Sequence, residues 1–569
     1  MIINLPKEIT IQNLQDFDFG NLEANEDDLL FDSICKTSSV AEFLGGKKNI
    51  VLGEKGTGKT ALFRLLNEGK ISFKQKNGYK NILIPIDNTF HYKNIKGKVL
   101  KLIKTDNEDI GFKYQVVWEL FIFYKIITKL DSSDIELSAT LKEAKELVDN
   151  IFNKNGIDSF LQNKKTLGLK LYDTPTSILP DLYYTSEPIV LDENIKEKSV
   201  ERLEIDLDKY KKEIDSFIKK NEINIVILID RLDEFVSKSS IQIQLELLEA
   251  LIAVEREYGR YNNIEIKLFL RDDLFKQLSF DNIGGYDKVI SKKVDLDWSA
   301  ENIREFIAKR ILSNYKNVFK TNHLGVSVDR ENLEIDTSLD NQNNKKPDFW
   351  GKLYRKLVKK FNADAYSQKF PRQVSLDDDI NQQLILTIFP NHVCYRTSEG
   401  NIDTISIFEF LATNFNLGTR NSIPRLILIF LEKVMTVTTN YYLKNGDQLP
   451  IKKTDLNNFE IIKEGFFDEA YSLFKEEIYI NFSKLNPEFE KPILLFKEKI
   501  GNKFSFRAKE LKNIVNITND EELYHFCSYM LHIGFFERTN SVTTIENMKF
   551  ELPVMFRITK ERNANKGYS

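Results

Sequence analysis

The chain of 569 residues contains only three cysteines, Cys35, Cys394 and Cys527, and only five histidines. The cysteines lie far apart with no metal-ligand spacing, which excludes a disulfide framework and suits a reducing compartment. The scattered histidines argue in the same way against a histidine-built metal centre. Neither sign of charge is in excess. Lysine and arginine number 81 against 85 aspartates and glutamates, a formal net charge of -4, so no global basic field points to nucleic acid. No uninterrupted apolar run reaches the roughly 18 residues of a membrane span; the richest, Val116 to Leu130, is broken by Glu119 and Lys125. The opening Met1-Ile2-Ile3-Asn4-Leu5-Pro6 has neither a basic n-region nor an apolar h-region. The expectation is a cytoplasmic protein with no membrane contact. Internal repeats, long low-complexity tracts, and nuclease, protease or TIR-like motifs are also missing. What remains is 42% hydrophobic and 29% charged, a globular composition long enough for two or three domains.

The stretch around which the rest is organised is Gly53-Glu54-Lys55-Gly56-Thr57-Gly58-Lys59-Thr60, which fits G-x-x-x-x-G-K-[ST]. Asn49-Ile50-Val51-Leu52 before it reads as a buried strand, and Ala61 to Leu66 after it as a helix. Phosphate binding needs that order. Glycines let backbone N–H groups turn toward phosphates, and the helix N-terminus adds positive dipole. Lys59 is then expected to reach the β- and γ-phosphates, and the Thr60 hydroxyl to ligate Mg²⁺. Gly53 through Ala61 is the expected cofactor-binding run.

A second anchor is Asn224-Ile225-Val226-Ile227-Leu228-Ile229-Asp230, an apolar run ending in a carboxylate, followed by Arg231-Leu232-Asp233-Glu234. Ligand sites in open α/β sheets lie at the C-terminal strand edge, so Asp230 is the expected Mg²⁺ carboxylate. Arg231 stands where many ATPases place glutamate. Asp233 first and Glu234 second are the candidates for handling water, although one of them also suits capping the following helix, Ile241 to Tyr258. The strand Ile264 to Leu270 ends in Arg271-Asp272-Asp273. Arg271 either senses the γ-phosphate or pairs with Asp272, Asp273 or Asp230. Asn-Lys-x-Asp, which reads guanine, is not found, so ATP is favoured over GTP.

The remaining chain divides as follows. Residues 1–48 hold Phe19-Gly20-Asn21, an acidic patch (Glu23, Glu26, Asp27, Asp28) and an amphipathic helix around Leu29 to Phe43, packing on the core. Residues 49–320 form the core, with a second strand at Asn81–Asp87 whose Pro85 suggests an edge or a strand end. A last strand at Lys292–Trp298 leads into a helix from Ala300. A mostly helical insertion spans about 92–222, with helices at Tyr114–Leu130, Leu137–Phe152 and Val200–Lys220. Residues 321–455 read as a helical lid. Here Phe349 to Phe361 is basic, and Pro424-Arg425 opens a helix. An arginine in a first turn opposes the macrodipole, so Arg425 is expected to meet an anion. In 456–569, helices at Pro492–Ile500, Ala508–Val515 and Asp520–Ile533 precede strands at Gly534–Arg538 and Lys549–Arg557, a winged-helix-like arrangement. Its third helix opens on acidic residues, which favours a protein contact over DNA reading.

Taken together, Gly53–Thr60, Asp230-Arg-Leu-Asp-Glu234 and Arg271 resemble the ATPase core of the STAND and KAP-type phosphate-loop proteins. Phe19-Gly20-Asn21 with its acidic patch, Pro424-Arg425 and the terminal domain are similar to bacterial phosphate-loop ATPases of phage-defence and mobile-element neighbourhoods. The resemblance implies an ASCE-type parallel sheet with a strand between the two nucleotide motifs, ATP and Mg²⁺ as cofactors, and ATP-dependent assembly or control of a protein partner. Two other readings stand beside it. One is a DNA-binding initiator- or loader-type ATPase. The other is a non-hydrolysing nucleotide-binding scaffold, which Arg231 favours.

Overall fold

The computed structural model describes residues 8–87, 110–133, 135–152, 166–170, 202–232, 241–279, 286–320, 378–396, 402–416, 422–446, 451–452, 461–484, 488–501, 503–540 and 547–557. The basic stretch Phe349 to Phe361 lies outside them, as do Asp233 and Glu234. The chain forms two compact units, one of Ser39–Glu54 with Leu66–Asp295, the other of Met1–Ser38, Lys55–Leu65 and Leu296–Ser569. The chain passes between them inside the glycine-rich loop.

The first unit is built on a five-stranded sheet. Its strands are β1 (Ile50–Gly53), β2 (Lys80–Ile86), β3 (Ile223–Ile229), β4 (Ile264–Arg271) and β5 (Lys293–Asp295). They pair in the order β2-β3-β4-β1-β5, all parallel. All seven residues of β3 are buried, as expected of a central parallel strand covered on both faces, where sequence runs apolar without alternation. β2 is an edge strand, where Pro85 interrupts no second ladder. β4 separates the strand of the glycine-rich loop from the strand of Asp230, as the resemblance implies. It also carries Lys267, fully buried. Its Nζ donates to the Lys48 carbonyl and Asn49 Oδ1, each at 2.8 Å, and pairs with Glu265 at 2.6 Å. The lysine thereby ties β4 to the residues that lead into β1.

Helix α1 (Lys59–Asn67) lies mostly in the second unit and ends in the first, to which α2 (Ile110–Asp131), α3 (Leu207–Lys220) and α4 (Ile241–Tyr258) belong. The insertion joins the sheet's own apolar core through α2, whose Trp118 indole donates to the Leu247 carbonyl at 3.1 Å. Glu119 and Lys211 form a buried pair at 2.8 Å between α2 and α3. The expected helix at Val200–Lys220 begins only at Leu207. Arg202–Asp206 is a strand, parallel to Thr166–Lys170. Arg-Leu-Glu-Ile-Asp alternates with period two, and that pattern outweighs the helical reading.

The second unit has its own core, in which α5 (Ala300–Lys320), α6 (Pro424–Lys444) and α7 (Phe466–Ser483) pack with the N-terminal segment. Among the described residues, α6 alone is long and apolar enough to cross a membrane; 61% of its most apolar 18-residue window is buried within the protein. Residues 381–445 are not purely helical. His392–Arg396 and Ile402–Ser406 form an antiparallel hairpin before the helix Ile407–Thr413, which Ser406 caps. Toward the C-terminus come α8 (Glu490–Lys499), α9 (Ala508–Val515) and α10 (Asp520–His532). A three-stranded sheet accompanies them, with Lys549–Glu551 between Ser505–Arg507 and Glu537–Arg538. The strand expected through Arg557 stops at Glu551, because Pro553 cannot donate to a ladder, and Val554–Phe556 turns as a 3-10 helix. α7 holds this turn: Tyr479 donates to the Phe556 carbonyl at 2.8 Å and Lys475 Nζ to that of Arg557 at 3.0 Å.

Candidate functional site: the phosphate loop and its supports

The loop turns where its sequence allows. Gly56 and Gly58 have φ of +95° and +100°, the left-handed region that only glycine enters without cost. At Gly56 the space is closed as well. A Cβ there would lie 2.6 Å from Arg425 Cβ and 3.0 Å from its Cδ. The helix α1 begins at Lys59, with Thr60 in its first turn. Among the residues expected to bind cofactor, Arg425 lies against the loop, and its backbone N–H donates to the Gly56 carbonyl at 3.4 Å. Pro424 at the first position of α6 has no N–H to satisfy, so the next amide is the one that meets the loop.

Trp298, which precedes α5, was not anticipated. Its Nε1 donates to the Thr57 carbonyl at 2.9 Å, and its ring lies 3.9 Å from where a Gly58 Cβ would be. Phe306 packs edge-on to the indole at 5.6 Å. No local pattern announces a contact between residues 241 positions apart; a half-buried tryptophan just before a helix was the only signal.

The N-terminal segment is fixed beside the same helix. Arg64 of α1 donates to the Ala24 carbonyl and lies 4.7 Å over the Phe31 ring. Arg310 of α5 grips Asp27 with both terminal guanidinium nitrogens and donates to the Phe19 carbonyl, all in a buried setting. Gly20, with φ +94°, leaves room for that guanidinium. Phe19-Gly20 and Asp27 of the acidic patch therefore have a structural task. The helix expected from Leu29 to Phe43 is only Ser38–Leu44; residues 29–33 are turns in which Ser33 Oγ donates to the Leu29 carbonyl at 2.8 Å. Asp27 accepts from the Leu29 N–H at 3.2 Å, and such side-chain bonds compete with the helical ladder. Behind this segment Cys35 is buried, which pushes its thiol up to about 12 and leaves it protonated and inert.

In the sheet unit, Gly53 lies directly opposite Arg271 in the β1–β4 register. Asp230 follows β3 at the same strand edge, is buried, and donates its N–H to the Ile86 carbonyl at 3.0 Å. Arg231 after it has φ +59°, uncommon for a side-chain-bearing residue. Arg271 has a carboxylate partner, with Nε to Asp273 Oδ1 at 3.0 Å and Nη2 to Oδ2 at 2.6 Å. Asp272 pairs with Lys276 at 2.7 Å. Among the described residues no group of three or more histidine, cysteine, aspartate or glutamate side chains is arranged to hold a metal.

A five-stranded parallel sheet carrying a glycine-rich phosphate-loop sequence at one strand end and a buried aspartate at another defines the class. No family model matches the chain. Over 314 residues it is 23% identical to the putative transposon gamma-delta 80.3 kDa protein of Escherichia coli (strain K12). The match spans 52% of this chain and 40% of that relative's length. Among solved structures it is similar to the Aeropyrum pernix ORC2 protein, captured as ADPNP-ADP complexes, over 93% of this chain and 94% of that one. The TM-score of 0.36 and identity of 10% make that likeness too distant to add to the strand order.

Proposed function

We propose that the protein is an ASCE-type phosphate-loop ATPase that works as an ATP-dependent switch on its own assembly or on a protein partner. The observation that carries this reading is the loop. Two glycines adopt φ that only glycine takes without cost, one of them pressed so closely by Arg425 that a Cβ has no room, and a helix starts at Lys59. These features suit nucleotide phosphates. The sheet order, with β4 between β1 and β3, supports the same reading. ATP would be held by Gly53 through Ala61, with Lys59 on the terminal phosphates. Mg²⁺ would be held by Thr60 and Asp230, hard oxygen donors that suit a cation completing its shell with phosphate oxygens and water. Bound Mg²⁺ and ATP supply the phosphoryl chemistry. Asp233 and Glu234 remain the proposed water-handling pair, and Arg271 and Arg425 the proposed reporters of the γ-phosphate.

The helices α8–α10 with the three-stranded sheet support a winged-helix reading of the C-terminal part, and the domain boundaries at 48/49, 320/321 and 455/456 are part of the same proposal. α10 opens on exposed Asp520, Glu521 and Glu522, which favours a protein contact over an initiator-type grip on DNA. The setting in bacterial defence or a mobile element rests on the resemblance, and the transposon relative's name agrees with the second. Purified wild type should hydrolyse ATP in the presence of Mg²⁺. Lys59→Ala should not, and Asp233→Asn should accumulate an ATP-bound form of altered assembly state. Tight ATP binding with no turnover, and no change of assembly in either variant, would replace the switch by a scaffold.

A further inference from the structure

We infer that Trp298 is a positioning residue of the phosphate loop, acting on nucleoside polyphosphates through the loop's backbone; this rests on reading the loop as the nucleotide site. Two successive loop carbonyls are each held by a donor from outside the loop. Gly56 O accepts from the Arg425 N–H at 3.4 Å, and Thr57 O accepts from Trp298 Nε1 at 2.9 Å. In a planar trans peptide the carbonyl points opposite to the N–H of the next residue. Fixing the oxygens of Gly56 and Thr57 therefore turns the Thr57 N–H away from α6 and the Gly58 N–H away from Trp298. The left-handed glycines at 56 and 58 give the loop the alternation that brings consecutive amides to one anion.

The bond from Trp298 is the shorter of the two, and its donor is braced by an edge-on aromatic contact. The indole packs on Phe306, and Phe306 lies 4.5 Å from the Arg310 guanidinium, itself clamped by Asp27. A side chain so braced lowers the cost of ordering the loop, since a preorganised site gives up less conformational freedom on binding. The same chain of contacts, from Thr57 through Trp298, Phe306 and Arg310 to Phe19 and Asp27, connects the loop to the N-terminal segment.

The test compares wild type, Trp298→Phe, Phe306→Leu and Lys59→Ala by calorimetric titration with MgATP, alongside unliganded melting and amide exchange of the peptide covering residues 53–60. Trp298→Phe keeps a ring and removes the donor. Its expected effect is a 3- to 10-fold weaker affinity, on the order of what one hydrogen bond contributes. Faster exchange of the loop peptide and a nearly unchanged melting point should accompany it. Phe306→Leu, which leaves the indole N–H in place, should lower the melting point more than the affinity. Unchanged affinity and exchange in Trp298→Phe would overturn the inference. So would an equal loss of affinity in Phe306→Leu, since packing and not the hydrogen bond would then carry the effect. If wild type and Lys59→Ala both fail to bind MgATP, the nucleotide reading fails. The exchange measurement on unliganded protein still decides whether Trp298 orders the loop.

Discussion

Lys475 is buried in α7 against the Tyr471 ring, and its ammonium donates to the Arg557 backbone carbonyl. Burial pulls its ammonium down to about 8 from an ordinary value of 10.5. Between these two values the unfolded chain holds a proton that the folded chain has released, so stability rises with pH across that window. Relative to Lys475→Met, wild type should gain on the order of 2–3 kcal/mol as pH rises from 7 to 10. Chemical denaturation at both pH values checks the sign; a difference that stays constant or narrows the other way would exclude the buried lysine as its source. Gly56 makes a second residue-scale prediction. Gly56→Ala must leave the left-handed region or displace Arg425, at a cost of about 1–3 kcal/mol. Melting of the variant should show that loss, together with loss of nucleotide binding. The glycine turns and the helix start at Lys59 were legible in the sequence because the loop's pattern is local. Trp298 and Arg310 were not, because each acts on residues more than 200 positions away.

At the scale of elements, the buried strands were the most readable. Asn224 to Ile229 and Ile264 to Leu270 are apolar runs too short for helices, and both became central strands. Errors fell where two periods overlap or side chains compete with the backbone. Arg202–Asp206 alternates like a strand ahead of a true helix, and Asp27 and Ser33 divert the amides and carbonyls of a segment whose apolar spacing reads as helical. The hairpin at 392–406 was missed for a related reason, since it is a short excursion between two strongly helical stretches. The Arg310–Asp27 clamp predicts the behaviour of the N-terminal segment. Breaking one side of a buried, bidentate pair strands the other charge, so Asp27→Ala or Arg310→Met should each cost about 3–5 kcal/mol. The double variant should cost less than the sum. Limited proteolysis should cut residues 17–35 faster in either single variant; unchanged cleavage would mean that Arg64 and the apolar contacts suffice to hold the segment.

For the whole molecule, the notable fact is that the chain leaves one unit and enters the other within the phosphate-loop sequence, between Glu54 and Lys55. Gly53, Asp230 and Arg271 belong to the sheet unit. The loop tip with Lys59 and Thr60 belongs to the other, as do Trp298 and Arg425. Ligand binding should stabilise the native state by mass action, about 2.7 kcal/mol at a free concentration one hundred times Kd. The most direct test is therefore an equilibrium titration of wild type and Lys59→Ala with MgATP, followed by calorimetry and by the thermal midpoint. Saturable binding and a raised midpoint in wild type, both lost in Lys59→Ala at an unchanged unliganded midpoint, is the predicted result. Binding that survives Lys59→Ala undiminished, or no binding by folded wild type, would contradict the assignment of Gly53–Thr60 as a nucleotide site.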